Sequence, residues 1–187
     1  VQTCALPIYR FGFDVTVYKQ NTQDQILPAT VSRATGYNSK FINAGDVENK
    51  GVEVQVFLRP VTTRDFNWRI ELNWGMNRNK VLDLGGIENL QLSSSQGGVS
   101  INAALGEPYG TIRGQNFTYL NGQKVVNANG YYQFSATANE IIGNINPDWI
   151  GGITNSIRYK NVSFGLLVDM TKGGGVFSLV LYSTLAT

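Results

Sequence analysis

Five stretches of the chain alternate apolar and polar residues with a period of two. Residues 9–20 set Phe11, Phe13, Val15 and Val17 on one side and Gly12, Asp14 and Thr16 on the other. Residues 51–59 set Val52, Val54, Val56 and Leu58 against Glu53, Gln55 and Arg59. The longest alternation runs over 66–80, with Phe66, Trp68, Ile70, Leu72, Trp74 and Met76 against Asn67, Arg69, Glu71, Asn73, Gly75 and Asn77. A weaker, glycine-rich stretch covers 148–159. Residues 162–172 set Val162, Phe164, Leu166, Val168 and Met170 against Ser163, Gly165 and Asp169. Successive side chains of an extended chain point to opposite faces, so each stretch predicts a β-strand with one apolar and one polar side.

The connections alternate in length. About 30 residues rich in Asn, Thr, Ser and Gly follow the first strand, and 59–66 joins the second to the third. About 70 mostly polar residues follow the third, and Lys160-Asn161 joins the last two. Long outer loops and short inner turns are the pattern of an outer-membrane barrel. Two connecting residues suit a tight hairpin. Pro60 is expected to end its strand, where a missing N–H costs no ladder bond. A further strand is expected to start at 177–182, and neither an internal repeat nor a domain boundary is evident.

Alternation also describes a half-buried strand of a soluble sandwich. Three features favour the membrane. The third stretch alternates over about eleven residues, where a typical strand has about five or six and a tilted crossing needs roughly 9–11. Trp68 and Trp74 flank Ile70 and Leu72, as interfacial aromatic belts require. Arg69 and Glu71 in mid-strand suit a wet lumen. A membrane barrel needs at least about eight strands, because lipid gives an open edge no partner. The expected fold class is therefore all-β, with antiparallel strands forming part of a larger transmembrane barrel and an open sheet here.

Composition sharpens this. Of 187 residues, 15% are charged and 21 are Gly, with one Cys and no His. The usual charged share is roughly 25% and that of Gly roughly 7%, so few faces are solvated. Without His, Ser-His-Asp and Cys-His catalysis are excluded, and one Cys excludes a disulfide framework. A net charge of +2 is too balanced for a nucleic-acid surface. No carboxylate pair sits in a recognisable acid–base context. The chain is expected to be no enzyme and to need no cofactor or metal. No apolar run approaches the roughly 18 residues of a membrane-spanning helix, which leaves β spans open.

Residues 1–8 read VQTCALPI, which matches a translation of the end of a common short-read sequencing adapter. They are expected to be foreign, Cys4 included, with 9–187 carrying the fold.

Several elements together resemble the C-terminal barrel region of SusC/RagA-type TonB-linked outer-membrane receptors. The carrying stretches are FDVTVYKQNTQDQIL (13–27), NAGDVENKGVEVQV (43–56), NWGMNRNKVLDL (73–84), GEPYGTIRG (106–114) and the run from Gly143 to Ser178 that contains NPDWIGG and YKN. Asn144 stands where Asp is commoner in the family, and Gly175 where Asp is expected. The resemblance spans 9–187 in order and implies a barrel of roughly 22 strands around a plug. It implies import of oligosaccharides or peptides across the outer membrane of Bacteroidota-type bacteria. The implied partners are a SusD-like surface lipoprotein, TonB–ExbB–ExbD and outer-membrane lipid.

Asp14, Glu53, Arg69, Glu71, Arg158 and Asp169 are candidate lumen residues for plug or substrate; otherwise they are a solvated wall with weak ion pairs. In the long connection, Tyr109, Phe117, Tyr119, Tyr131, Tyr132 and Phe134 could meet ligand or lid, or bury against one another. Phe11, Phe13, Trp68, Trp74, Trp149 and Phe164 are candidate lipid-facing or interfacial anchors. Pro147-Asp148 is expected to form a turn before a strand that begins at Trp149. GEPYGTIRG lacks the Lys-Ser/Thr of a phosphate loop, so its glycines are expected to serve a bent or close-packed backbone.

Overall fold

The computed structural model describes residues 2–8, 10–30, 34, 36–37, 39–43 and 45–185. Tyr9, the first residue of the first alternating stretch, and Ala44 of the NAGDVENKG element lie outside them. In chain order the elements are β1 (Gln2–Ile8), β2 (Phe11–Thr22), β3 (Ile26–Thr30), β4 (Ser39–Asn43), β5 (Asp46–Thr62), β6 (Phe66–Asp83), β7 (Asn89–Ser94), β8 (Ser100–Ala104), β9 (Thr111–Gly114), β10 (Tyr119–Leu120), β11 (Gln123–Lys124), β12 (Glu140–Asn144), β13 (Pro147–Tyr159), β14 (Val162–Gly173) and α1 (Leu179–Leu185).

The five alternating stretches are β2, β5, β6, β13 and β14, and they lie in one sheet of order β1-β2-β5-β6-β13-β14. The sheet is open among the described residues. Short connections close as expected: Tyr159 pairs with Val162 across Lys160-Asn161, with Lys160 at φ 53. At the other short turn Thr63 N–H donates to Phe66 C=O at 2.7 Å, and Phe66 N–H donates to the Thr63 hydroxyl at 2.9 Å. These strands are 12 to 18 residues long, ample for a tilted crossing of roughly 9–11.

Four expectations are corrected. Pro60 does not end its strand, because β5 continues to Thr62. The turn before β13 falls one step earlier: Asn144 Oδ1 accepts from Asn146 N–H at 2.8 Å, the strand begins at Pro147, and the register shifts between Pro147 and Trp149. Residues 177–182 start no strand. Gly173 and Gly174 at φ 76 and 79 break the extended run, and Ser178 caps the short α1 by accepting from Leu181 N–H at 3.3 Å.

The fourth correction concerns domain organisation. The chain divides into two compact units, one of residues 1–21, 48–79 and 147–173, the other of 22–47, 80–146 and 174–187. The long connection is thus folded rather than merely polar. It carries a four-stranded sheet of order β12-β9-β8-β7, with Val81, Leu84, Leu90 and Ala103 buried together and Ile87, Leu92 and Tyr109 packed on them.

Gln2–Ile8 pairs with β2 from Gln2 opposite Val17 to Ile8 opposite Phe11. Open antiparallel edges accept strands readily, so this pairing reports the strand-forming tendency of the segment and not its origin.

Candidate functional site

Cross-strand partners share a face of a sheet, so the ladder fixes which residues look the same way. On one face β13 aligns Leu72 with Ile153 and Val168, Trp68 with Ile157 and Phe164, and Trp74 with Gly151 and Met170. On the other it aligns Asn73 with Gly152 and Asp169, and Glu71 with Thr154 and Leu167. Apolar and polar rows therefore separate across several strands, which periodicity in a single strand cannot establish.

The apolar face is bare. Along the edge strand β14, Phe164 is 61% exposed, Leu166 49% and Val168 44%, with no layer packed over them among the described residues. Its aromatics gather toward two levels. Trp74 and Trp149 both approach Gly151, where an added Cβ would lie 3.5 and 3.6 Å from their rings. Trp68 and Phe164 share a cross-strand row nearer the short turns, and the Phe11 and Phe13 ring centroids on β2 are 6.1 Å apart. Asn155 is the polar intruder on this face. It accepts the Trp68 indole N–H at 2.8 Å, so each satisfies the other where lipid would offer neither a partner.

The polar face holds the candidate site. Asp14 and Thr16 of β2, Glu53 and Gln55 of β5, Asn73 of β6, and Asp169 and Thr171 of β14 line a concavity of about 760 Å³. Gly152 lies beneath it, and a Cβ there would sit 2.7 Å from Asn73 Oδ1 and 2.9 Å from Asp169 Oδ1. Glycine is what lets those two side chains close over the backbone. Toward the long connections, Tyr18 O–H donates to Asn77 Oδ1 at 3.3 Å, and Asn77 Nδ2 donates to Asn49 Oδ1 at 3.2 Å.

Of the six lumen candidates, the structure brings three together: Asp14, Glu53 and Asp169 line the concavity, with no Lys or Arg in its lining. Arg69 and Glu71 pair with each other along β6. Arg158 stands opposite Asn67 and Ser163, close to the short turns. The concavity can donate and accept hydrogen bonds and disfavours anions; within it the Thr16 hydroxyl donates to Asp14 Oδ1 at 3.3 Å. Asn73, Gln55, Thr16, Thr171 and Gly152 were not singled out by sequence. Their signal was membership of the polar row, which becomes a site only when registers are known.

The aromatics of the long connection divide. Tyr109 packs on the buried cluster, and its C=O accepts from Asn146 Nδ2 at 2.6 Å. Phe117 stacks on Phe134 at 5.0 Å and meets Tyr132 edge-on at 5.4 Å, with Lys124 Nζ 3.7 Å above its ring. Those rings hold a small meander together. Tyr119 and Tyr131 remain open, the latter 72% exposed. The GEPYGTIRG glycines include Gly110 at φ 93, where a Cβ would collide with Ile145; the close-packed backbone expected of this element is present. Its Glu107 and Arg113 form an ion pair.

No family model matches the chain. It is 30% identical over 186 residues to TonB-dependent receptor P26 of Formosa agariphila, covering 89% of this chain and 19% of that protein. It is 22% identical over 171 residues to TonB-dependent receptor SusC of Bacteroides thetaiotaomicron, covering 79% and 16%. Among solved structures, the RagAB peptide transporter superposes with a TM-score of 0.67 at 20% identity, covering 86% of this chain and 19% of that one. The chain thus spans about a fifth of the length of these proteins.

Proposed function

This chain is a homologue of SusC/RagA-type TonB-dependent receptors, and from that premise we propose that it forms part of a closed outer-membrane barrel importing oligosaccharides or peptides. TonB–ExbB–ExbD supplies the energy and a SusD-like surface lipoprotein covers the outer mouth. The carrying observation is the uncovered apolar face of β14 and β13 beside a concavity on the other side that gathers the carboxylates Asp14, Glu53 and Asp169. Lipid accounts for the first and a hydrated lumen for the second. From Trp68 to Trp74 is six residues, about 20 Å at roughly 3.3 Å per residue, within the roughly 25 Å apolar band of such barrels. Further strands of the receptor close the edges that lipid cannot satisfy.

In this reading residues 9–187 are the receptor segment and 1–8 come from the adapter; genomic DNA read with different library chemistry decides the latter. Asp14, Glu53 and Asp169 contact substrate or plug from the lumen, and Tyr119 and Tyr131 meet ligand or lid. The test is uptake by cells carrying the whole receptor. Uptake of a supporting oligosaccharide or peptide is expected to stop without TonB and to weaken in Asp14→Asn/Glu53→Gln/Asp169→Asn while the barrel still assembles. Uptake indifferent to TonB overturns the reading.

A further inference from the structure

Beyond the apolar row, the outward face of the sheet ends in cations. Lys19 follows Val17 on the same side of β2, Lys50 precedes Val52 on β5, and Arg78 follows Met76 on β6. Lys172 stands opposite Trp149 in the β13–β14 ladder, on the face of that indole. Lys19, Lys50 and Arg78 lie at the ends of their strands that join the long connections, and Lys172 lies at the matching end of β14, opposite the start of β13. In an outer-membrane barrel that end faces the cell exterior.

Three of these cations rim a groove of about 540 Å³ whose apolar lining is Val17, Val52 and Met76. Their side chains are 59%, 56% and 54% exposed for Lys19, Lys50 and Arg78. They are also held in place. Glu48 receives Lys19 Nζ at 2.8 Å and Lys50 Nζ at 2.6 Å, tying two ammonium groups to one side of the groove. Arg78 Nη1 donates to Asp148 C=O at 3.0 Å, and its Nη2 lies 3.6 Å from Asp148 Oδ1. Three cations against two carboxylates leave one net positive charge at the rim, and Lys172 makes it two. Lysines that only snorkel from a spanning strand need neither a groove nor a tether.

An apolar floor continued by a fixed cationic rim, at the level where Trp74 and Trp149 mark the interface, is complementary to an amphiphile with acyl chains and a phosphate. We propose that this groove holds a phosphate-bearing lipid of the outer leaflet. Its chains lie along Val17, Val52 and Met76, and its phosphate sits among Lys19, Lys50 and Arg78. The inference rests on the membrane-spanning reading of the sheet. Juxtamembrane cations attract anionic headgroups individually; clustering and the apolar floor make the contact selective for one lipid.

The experiment uses the full-length receptor carrying this segment, in detergent, with native mass spectrometry as the readout. The probes are diphosphorylated lipid A, the same lipid stripped of phosphate, and inorganic phosphate. Quenching of Trp fluorescence by brominated-chain lipid, compared between the parent and Trp68→Phe/Trp74→Phe, is recorded in parallel. The wild type is expected to retain the phosphorylated lipid roughly tenfold or more better than the stripped one. Lys19→Gln/Lys50→Gln/Arg78→Gln is expected to erase that preference. Arg78→Gln alone, which leaves the Glu48 bridge intact, should weaken it in part and covers failure of the triple variant to fold. If Trp68 and Trp74 are quenched but the preference is absent, or survives in both variants, the lipid site is wrong and the membrane reading stands. Displacement of the lipid by inorganic phosphate at equal concentration would make it a small-anion site and overturn the proposal. Absence of quenching from Trp68 and Trp74 overturns both.

Discussion

Among the described residues of the unit built on 80–146, Val81, Leu84, Leu90 and Ala103 are withdrawn from solvent and touch one another. Among those of the unit built on 1–21, 48–79 and 147–173, the buried positions are Gly12, Gly51 and Gly152. Both regions are rich in Val, Leu and Ile, yet one turns them inward and the other displays them. A sheet that carries its apolar rows on one face with no layer packed against it has no core of its own and takes its hydrophobic partner from outside. The difference separates a region that folds by self-burial from one that folds into a solvent of lipid.

The largest effect distinguishing them is expected from Leu84→Ala, which leaves a cavity in a packed cluster and costs about 2–5 kcal/mol. Hydrogen exchange over 80–146 in the whole receptor should rise, whatever the surrounding medium. Leu166→Arg on the bare face is expected to cost about 2–4 kcal/mol when the receptor folds into vesicles. Urea titration against Leu166→Ala, which should change little, gives that number; an Arg tolerated there would place the face in water. Asn155→Leu comes next: it strands the Trp68 indole N–H, for about 1–2 kcal/mol in the same titration, with altered Trp emission.

The smallest effect lies above the membrane band. The hydrogen bonds from Lys19 and Lys50 hold the Glu48 carboxyl below the usual carboxylate range. A depressed folded pKa contributes stability above the unfolded value, and that contribution disappears as pH falls through the folded one. Glu48→Gln should therefore lower stability slightly at neutral pH and converge with the parent as pH falls, which flattens the acid limb of the stability profile. An effect confined to alkaline pH would contradict the assignment.

The spanning strands were legible because alternation sustained for up to about eleven residues leaves little else for the chain to do. Their order and register were not, so Gly152, silent in the sequence, emerged only once Asn73 and Asp169 met above it. The folded excursion was illegible for a different reason. Its core joins Val81, at the far end of β6, and Leu84 to Leu90 and Ala103 of β7 and β8, short strands with too few apolar residues to show a period. Residues 177–182 misled because an apolar run after glycines carries no period either, and Ser178 supplied a helix cap instead.

The central claim is that Leu72 faces lipid and its neighbour Glu71 faces water. Single spin labels at these two positions in the assembled full-length receptor test it most directly. A membrane-spanning sheet requires oxygen, which concentrates in lipid, to relax the label at 72 strongly and the label at 71 weakly, with a water-soluble nickel chelate doing the reverse. Equal accessibility of both labels to both reagents would contradict it.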